Sequence, residues 1–149
     1  MKIFAKNKKA FFDYEVIEKK EAGVELFGFE VKSIKIGNIS LKSSFVVIKD
    51  NQAYLINASI APYQTKNTPK EYNPKRTRKL LLKKEEIKGL VGKTSQKGLT
   101  LVPLQVYNRG SKIKIEIALA KNKKKFQKKE KIKQKDIKRD MEREAREKI

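Results

Sequence analysis

The residues best suited to chemistry in this chain are cations in runs: Lys8-Lys9, Arg76-Thr77-Arg78-Lys79 and Lys123-Lys124-Lys125. Such groups hold phosphates by displacing counterions, so the binding they give is salt-dependent. Flat side chains stand beside two of the runs, Phe11 and Phe12 after the first and Phe126 within the third. Rings can stack on exposed bases. For Phe11 and Phe12 a core position is preferred, since strands need aromatic residues inside. Phe126 stands among lysines with no core to enter, and base stacking is its expected use.

The whole chain points the same way. Its 149 residues carry 38 Lys plus Arg against 17 Asp plus Glu, a formal net charge of +21. A protein this basic repels itself and seeks a polyanion, with nucleic acid the first candidate and an anionic membrane the second. Cys and His are both absent, which excludes disulfides, zinc clusters, thiol nucleophiles and histidine bases. An enzyme would have to use Asp, Glu, Lys, Tyr or Ser, and no carboxylate pair sits in a metal-site motif. The remaining enzyme reading is a nuclease with Glu15, Glu21 or Glu30 on a metal. The expectation is a binding protein without cofactor. The first residues break their apolar positions with lysines and no apolar run reaches transmembrane length, so a soluble cytoplasmic protein is expected.

These groups need a scaffold, and its joint is the stretch 21–37. Val24 and Leu26 alternate with polar neighbours as in a half-buried strand. Phe27, Glu30, Val31 and Ile34 then fall on one face of a short helix, with Lys32, Ser33 and Lys35 on the wet side and Gly37-Asn38 as the stop. Before the joint, residues 1–9 are a basic lead-in without periodicity. Phe11, Phe12, Tyr14, Val16 and Ile17 read as a strand, and 18–22 as a polar bend. After it, Ile39 and Leu41 resume alternation, and 45–48 with 53–56 form a hairpin around Asp50-Asn51. The second hairpin strand is expected to run to Ile60 and stop at Pro62.

Residues 63–79, with Pro69 and Pro74, read as a long loop. Leu80-Leu81-Leu82 follow, and three consecutive leucines cannot all face inward, so Leu81 is either core or exposed to a ligand. A short helix over 85–91 ends at Gly92, and 93–98 is loop. A strand over 99–106 holds Pro103, which implies an edge or a bulge. Residues 108–110 turn the chain into the alternating strand 112–117, and 118–120 close the domain. The fold class is therefore mainly β: a small closed antiparallel barrel of the oligonucleotide-binding kind, with about six strands and two or three inserted helices. It spans 1–120. Residues 121–149 form a basic tail too charged to pack, disordered when free. Ile137, Met141, Ala145 and Ile149 step by four, so the tail can fold as a helix when bound.

Several motifs together carry a family resemblance. They are Asn7-Lys8-Lys9-Ala10 with Tyr14; Glu21-Ala22-Gly23, then Gly28 and Glu30-Val31-Lys32-Ser33; Ile60-Ala61-Pro62-Tyr63; Arg76-Thr77-Arg78-Lys79-Leu80-Leu81-Leu82 with Glu86-Ile87; and Gly98 with Val102-Pro103-Leu104. In this order the chain resembles the SmpB family of bacterial trans-translation. The resemblance implies an oligonucleotide-binding barrel that holds the tRNA-like domain of tmRNA, which lacks an anticodon arm, and replaces that arm on the stalled ribosome. It implies that Asn7, Glu21 and Leu81 contact tmRNA, with Lys8, Lys9, Lys32, Arg76, Arg78 and Lys79 as phosphate holders. It implies a tail that enters the empty messenger channel, with Lys123, Lys124, Lys125, Phe126, Lys128 and Lys129 near the decoding centre of the small-subunit rRNA. One copy per tmRNA is expected. The family usually continues from its last strand as G-K-K, two residues, D-K-R. This chain reads Asn122-Lys123-Lys124 and Gln127-Lys128-Lys129, which keeps the charge without the glycine or the Asp. The rival reading is a ribosomal protein or general RNA chaperone.

Overall fold

The computed structural model describes residues 1–64, 66, 68–95 and 98–123. Its elements follow in chain order: β1 (Ile3–Lys6), α1 (Lys8–Asp13), β2 (Tyr14–Val24), α2 (Gly28–Lys35), β3 (Ile39–Ser40), β4 (Phe45–Lys49), β5 (Gln52–Ile56), β6 (Ser59–Ile60), β7 (Arg78–Leu81), α3 (Lys84–Thr94), β8 (Leu99–Arg109) and β9 (Lys112–Asn122). All pairings are antiparallel. Six strands close on themselves in the order β8-β4-β5-β7-β2-β9 and back to β8, with β1 added beside β8 and β3 paired with β6. The ring of strands matches the expected strand number and leaves few free edges. Among the described residues no helix is long and apolar enough to cross a membrane.

The core lies inside the ring. Alternation sends Ala22 of β2, Val106 of β8, and Ile115, Ile117 and Leu119 of β9 inward, where they meet Val46, Leu55 and Leu80. Ile34 of α2 and Leu90 of α3 close the ring against the same cluster. Each such side chain, fully buried, contributes about 1.5–3 kcal/mol relative to exposure. The expected hairpin is present: β4 and β5 pair from Phe45 opposite Ile56 to Lys49 opposite Gln52. Asp50 and Asn51 have φ of 52° and 59°, the left-handed pair of a type I′ turn. The stop of α2 is also as expected. Gly37 at φ 86° donates to Ile34 O, and Asn38 donates to Ser33 O, a glycine-terminated helix end.

Several local expectations are corrected. Phe11 and Phe12 lie in helix α1, not in a strand, and β1 occupies part of the supposed unstructured lead-in. Tertiary contact decides this: Ala10 packs outside the ring on Val102, Leu104, Ala118 and Ala120, a second small core. Residues 18–22 are no bend, because β2 runs on through them, paired to β9 with a bulge between Val16 and Glu18. Asn57, at φ 65°, breaks the strand that was expected to reach Ile60. Arg78 and Lys79 belong to β7 and not to the loop, and α3 passes Gly92 to end at Thr94. Strand β8 runs to Arg109, so the turn falls at Gly110-Ser111. Ser33 is buried, its hydroxyl donating to Ala61 O at 2.6 Å, so it is not on the wet face of α2. Pro103 is not at an edge, since β8 has β9 on one side and β1 and β4 on the other; the bulge between Pro103 and Gln105 accommodates it.

Candidate nucleic-acid interface

The bulge in β8 sets the first site residue. Its carbonyls at Pro103 and Leu104 are both taken by Asn7, the residue that follows β1. The Asn7 side-chain amide donates to Pro103 O at 2.9 Å, and its backbone N–H donates to Leu104 O at 2.8 Å. Its Oδ1 accepts from Ala10 N at 3.2 Å and caps α1. Asn7 is thus buried and anchors the helix, and Lys8 and Lys9 are exposed on it. A groove of about 410 Å³ runs beside them, lined by Lys6, Asn7, Lys8, Lys9 and Lys42 among others.

Beyond α1 the outer face of the sheet is open, and the strand register arranges it in rows. Leu81 of β7 stands opposite Gly23 of β2, Gly23 opposite Lys114 of β9, and Lys114 opposite Tyr107 of β8. In the next row Glu21 faces Glu116, which faces Gln105. The question of the three leucines is settled by alternation. Leu80 is core, Leu82 is half-buried against the core, and Leu81 keeps 50% of its surface exposed. Leu81 lies over Gly23, where an added Cβ would come within 3.2 Å of the leucine Cβ. Lys79 points to the same side of β7 as Leu81. A second groove, of about 380 Å³, is lined by Gly23, Leu26, Val31, Leu81, Lys112 and Lys114 among others. Apolar floor and cationic rim together suit a nucleoside with its phosphates.

Glu21 is the one acid among the expected site residues. Tyr107 Oη donates to its Oε1 at 2.5 Å, and Arg109 Nε donates to the same oxygen at 2.9 Å. These bonds, the tyrosine's first, hold the Glu21 carboxyl below its ordinary range. Burial first, then the bond to Glu21, pushes the Tyr107 phenol up to about 12.

The two arginines of the central run have another task. Glu30 and Arg78 are both 0% exposed. Arg78 donates to Glu30 Oε2 through Nε at 2.9 Å and Nη2 at 2.6 Å. Its remaining bonds go to Ala58 O, Arg76 O, Pro74 O and Tyr72 Oη. Arg78 therefore offers a phosphate no surface, a correction to its expected role as a holder. Arg76 donates to both oxygens of Glu30 and lies 4.1 Å from the Phe27 ring centre, leaving only part of its guanidinium exposed. The Phe27 amide and Tyr72 Oη each donate to Glu30 at 2.8 Å. Burial alone would raise the Glu30 carboxyl, but the bonds from Arg76, the Phe27 amide and Arg78 outweigh it and hold it low. The cluster ties the loop before β7 to α2. Lys32 is exposed on α2, its Nζ 5.8 Å from the Tyr63 ring centre.

With Glu30 enclosed by guanidinium groups and Glu21 bound on the outer face, the acids considered for a nuclease do not converge. Among the described residues no group of acids could hold a metal ion. Lys123 follows β9, its N–H donating to Asp13 O at 3.1 Å and its ammonium to Phe11 O at 3.3 Å. The expected tail contacts Lys124, Lys125, Phe126, Lys128 and Lys129 lie outside the described residues. Sequence reading missed Tyr107, Arg109, Lys112 and Lys114. The alternation of Lys112 and Lys114 was visible and Arg109 was expected in a turn, but only the register puts all four beside Glu21 and Leu81.

Comparison with known proteins identifies the family. The family model described as SmpB protein matches residues 4–147. An SsrA-binding protein of Sulfurihydrogenibium sp. is 52% identical over 99% of this chain and 97% of its own length. One from Persephonella marina is 47% identical over 100% of this chain and 97% of its own. Among solved structures, a chain of "tmRNA-SmpB: a journey to the center of the bacterial ribosome" superposes with a TM-score of 0.66 at 45% identity, covering 80% of this chain and 84% of that one. Likeness of this extent, in sequence along almost the whole chain and in the course of its backbone, makes the protein a member of the SmpB family.

Proposed function

We propose that this protein binds the tRNA-like domain of tmRNA and delivers it to stalled ribosomes for trans-translation. The ring of strands is an oligonucleotide-binding-type barrel that runs to the end of β9 at Asn122, two residues past the expected boundary at 120, and its outer β7-β2-β9-β8 face grips the RNA. Glu21, Lys79 and Leu81 lie on that face; Lys8 and Lys9 border it from α1, and Lys32 and Arg76 from the α2 end. Asn7 sets α1 in place and Arg78 works from inside, through Glu30. The chain beyond β9, residues 123–149, enters the empty messenger channel and orders there, with Lys123, Lys124, Lys125, Phe126, Lys128 and Lys129 near the decoding centre. Ordering such a tail costs several kcal/mol, which keeps its insertion reversible. The protein makes and breaks no bond, and it works in the cytoplasm where ribosomes are.

The observation that carries the reading is the row Leu81, Gly23, Lys114 and Tyr107, which joins an exposed apolar side chain to a cation on the outer face. The test is a titration of the tRNA-like fragment and an unrelated RNA of equal length at one salt concentration, with the full chain and a chain cut after Asn122. Preference for the tRNA-like fragment by both proteins, with loss of peptide tagging in the shortened one, is expected. Equal affinity for the two RNAs favours a general RNA chaperone instead. Loss of binding on truncation moves recognition into the tail.

A further inference from the structure

An acidic side chain on a face that meets a polyanion needs a reason, and the neighbours of Glu21 supply one. Arg109 gives only its Nε to Glu21. Its guanidinium carbon lies 6.0 Å from the Tyr107 ring centre, and its side chain is 64% exposed. The Tyr107 hydroxyl is a second partner of the guanidinium on that side. The group is held at Nε while most of its side chain stays exposed, so the planar fork that matches a phosphate is accessible. Arg109 stands opposite Lys112 in the ladder, and Tyr107 opposite Lys114. The two lysines line the groove under Leu81. Arg109 thus extends the cationic rim of that groove past the end of the expected site.

We infer that Arg109 is an RNA phosphate contact and that Glu21, with Tyr107, is its positioning residue, acting on the RNA through the arginine. The inference rests on the proposed RNA-binding reading and deepens it. It explains why an acid is useful there: it reduces the freedom of a long side chain before binding, so less is lost when the phosphate arrives. Lys112 and Lys114 supply further charge beside it.

Direct contact and positioning differ in sign and coupling. The full-length protein is titrated with the tRNA-like fragment of tmRNA across a salt series, as wild type, Arg109→Ala, Arg109→Lys, Glu21→Ala and the Glu21→Ala/Arg109→Ala double variant. Arg109→Ala should weaken binding about 10-fold and lower the slope of log K against log salt by about one. Arg109→Lys should fall between, since one ammonium cannot serve carboxylate and phosphate in the same fork geometry. Glu21→Ala should weaken binding several-fold although it removes a negative charge, and it should cost nothing more once Arg109 is gone. The inference is overturned by tighter binding in Glu21→Ala, by an equal penalty in the Arg109→Ala background, or by an unchanged salt slope in Arg109→Ala. The exposed site leaves the fold intact, and unchanged melting temperatures confirm it. If wild type shows no preference over unrelated RNA, the tmRNA reading fails. The salt slope on that unrelated RNA still decides whether Arg109 holds a phosphate.

Discussion

Replacing Glu30 by Ala should unfold the loop before β7 and bring the whole domain near its stability limit. The carboxylate accepts two bonds from Arg76, two from Arg78, one from Tyr72 and one from the Phe27 amide. Without it Arg78 is a cation with no exposed surface and no counter-charge. Breaking a buried pair in this way costs about 3–5 kcal/mol, against a total of about 5–15 kcal/mol for a domain. For a domain of this size that lowers the melting temperature by about 10–20 °C. Denaturant melts measure the loss, and hydrogen exchange locates it. The Ile60 and Arg76 amides, which donate to Pro74 O and Asn73 O at 3.0 Å each, should exchange much faster. The pH dependence has a definite sign. A carboxyl held below its ordinary value of 4.5 contributes its full stability above that value, and the contribution is lost as pH falls through the folded-state value. The gap between wild type and variant should therefore be constant at neutral pH and narrow in acid. A loss under about 1 kcal/mol, or a gap that widens on acidification, would refute the argument that Glu30 is the ionised centre of the cluster.

Three further outcomes follow from the interface. Leu81→Asp should weaken RNA binding while stability stays within about 0.5 kcal/mol, because the side chain is half exposed; a collapsed melting temperature would make it core. Gly23→Ala places a Cβ 3.2 Å from the Leu81 Cβ and 3.3 Å from its Cδ1, so it should displace that side chain. The expected cost is about 1 kcal/mol of stability with a clear loss of RNA affinity, read by melting and titration. Asn7→Ala removes the α1 cap and leaves Pro103 O without its amide donor, and should cost about 1–3 kcal/mol with faster exchange confined to α1 and the bulge.

Local rules carried the parts of this chain whose causes are local. Asp50-Asn51 forces a tight hairpin wherever it stands, and Gly37 ends α2 because its neighbours need a left-handed residue there. Charge and the ordered motifs were likewise readable without coordinates, and they led to the right family. Helix α1 was not readable. Phe11 and Phe12 look like strand residues, and what makes their segment helical is Ala10 against β8 and β9 and the Asn7 cap on the β8 bulge, about a hundred residues away in sequence.

The same division separates the cations. Arg76, Arg78 and Lys79 are one run in the sequence, equally suited to phosphate by type. Pleating alone points Arg78 inward and Lys79 outward, and the meeting with Glu30 makes Arg78 a core residue. Residue types and spacing thus determined that the protein is a basic binder with a β scaffold, because charge and alternation belong to each residue or its neighbours. Which cations stay on the outer face, and that Glu21 meets Arg109 at all, was decided by strand register, because pairing joins residues that no local pattern relates.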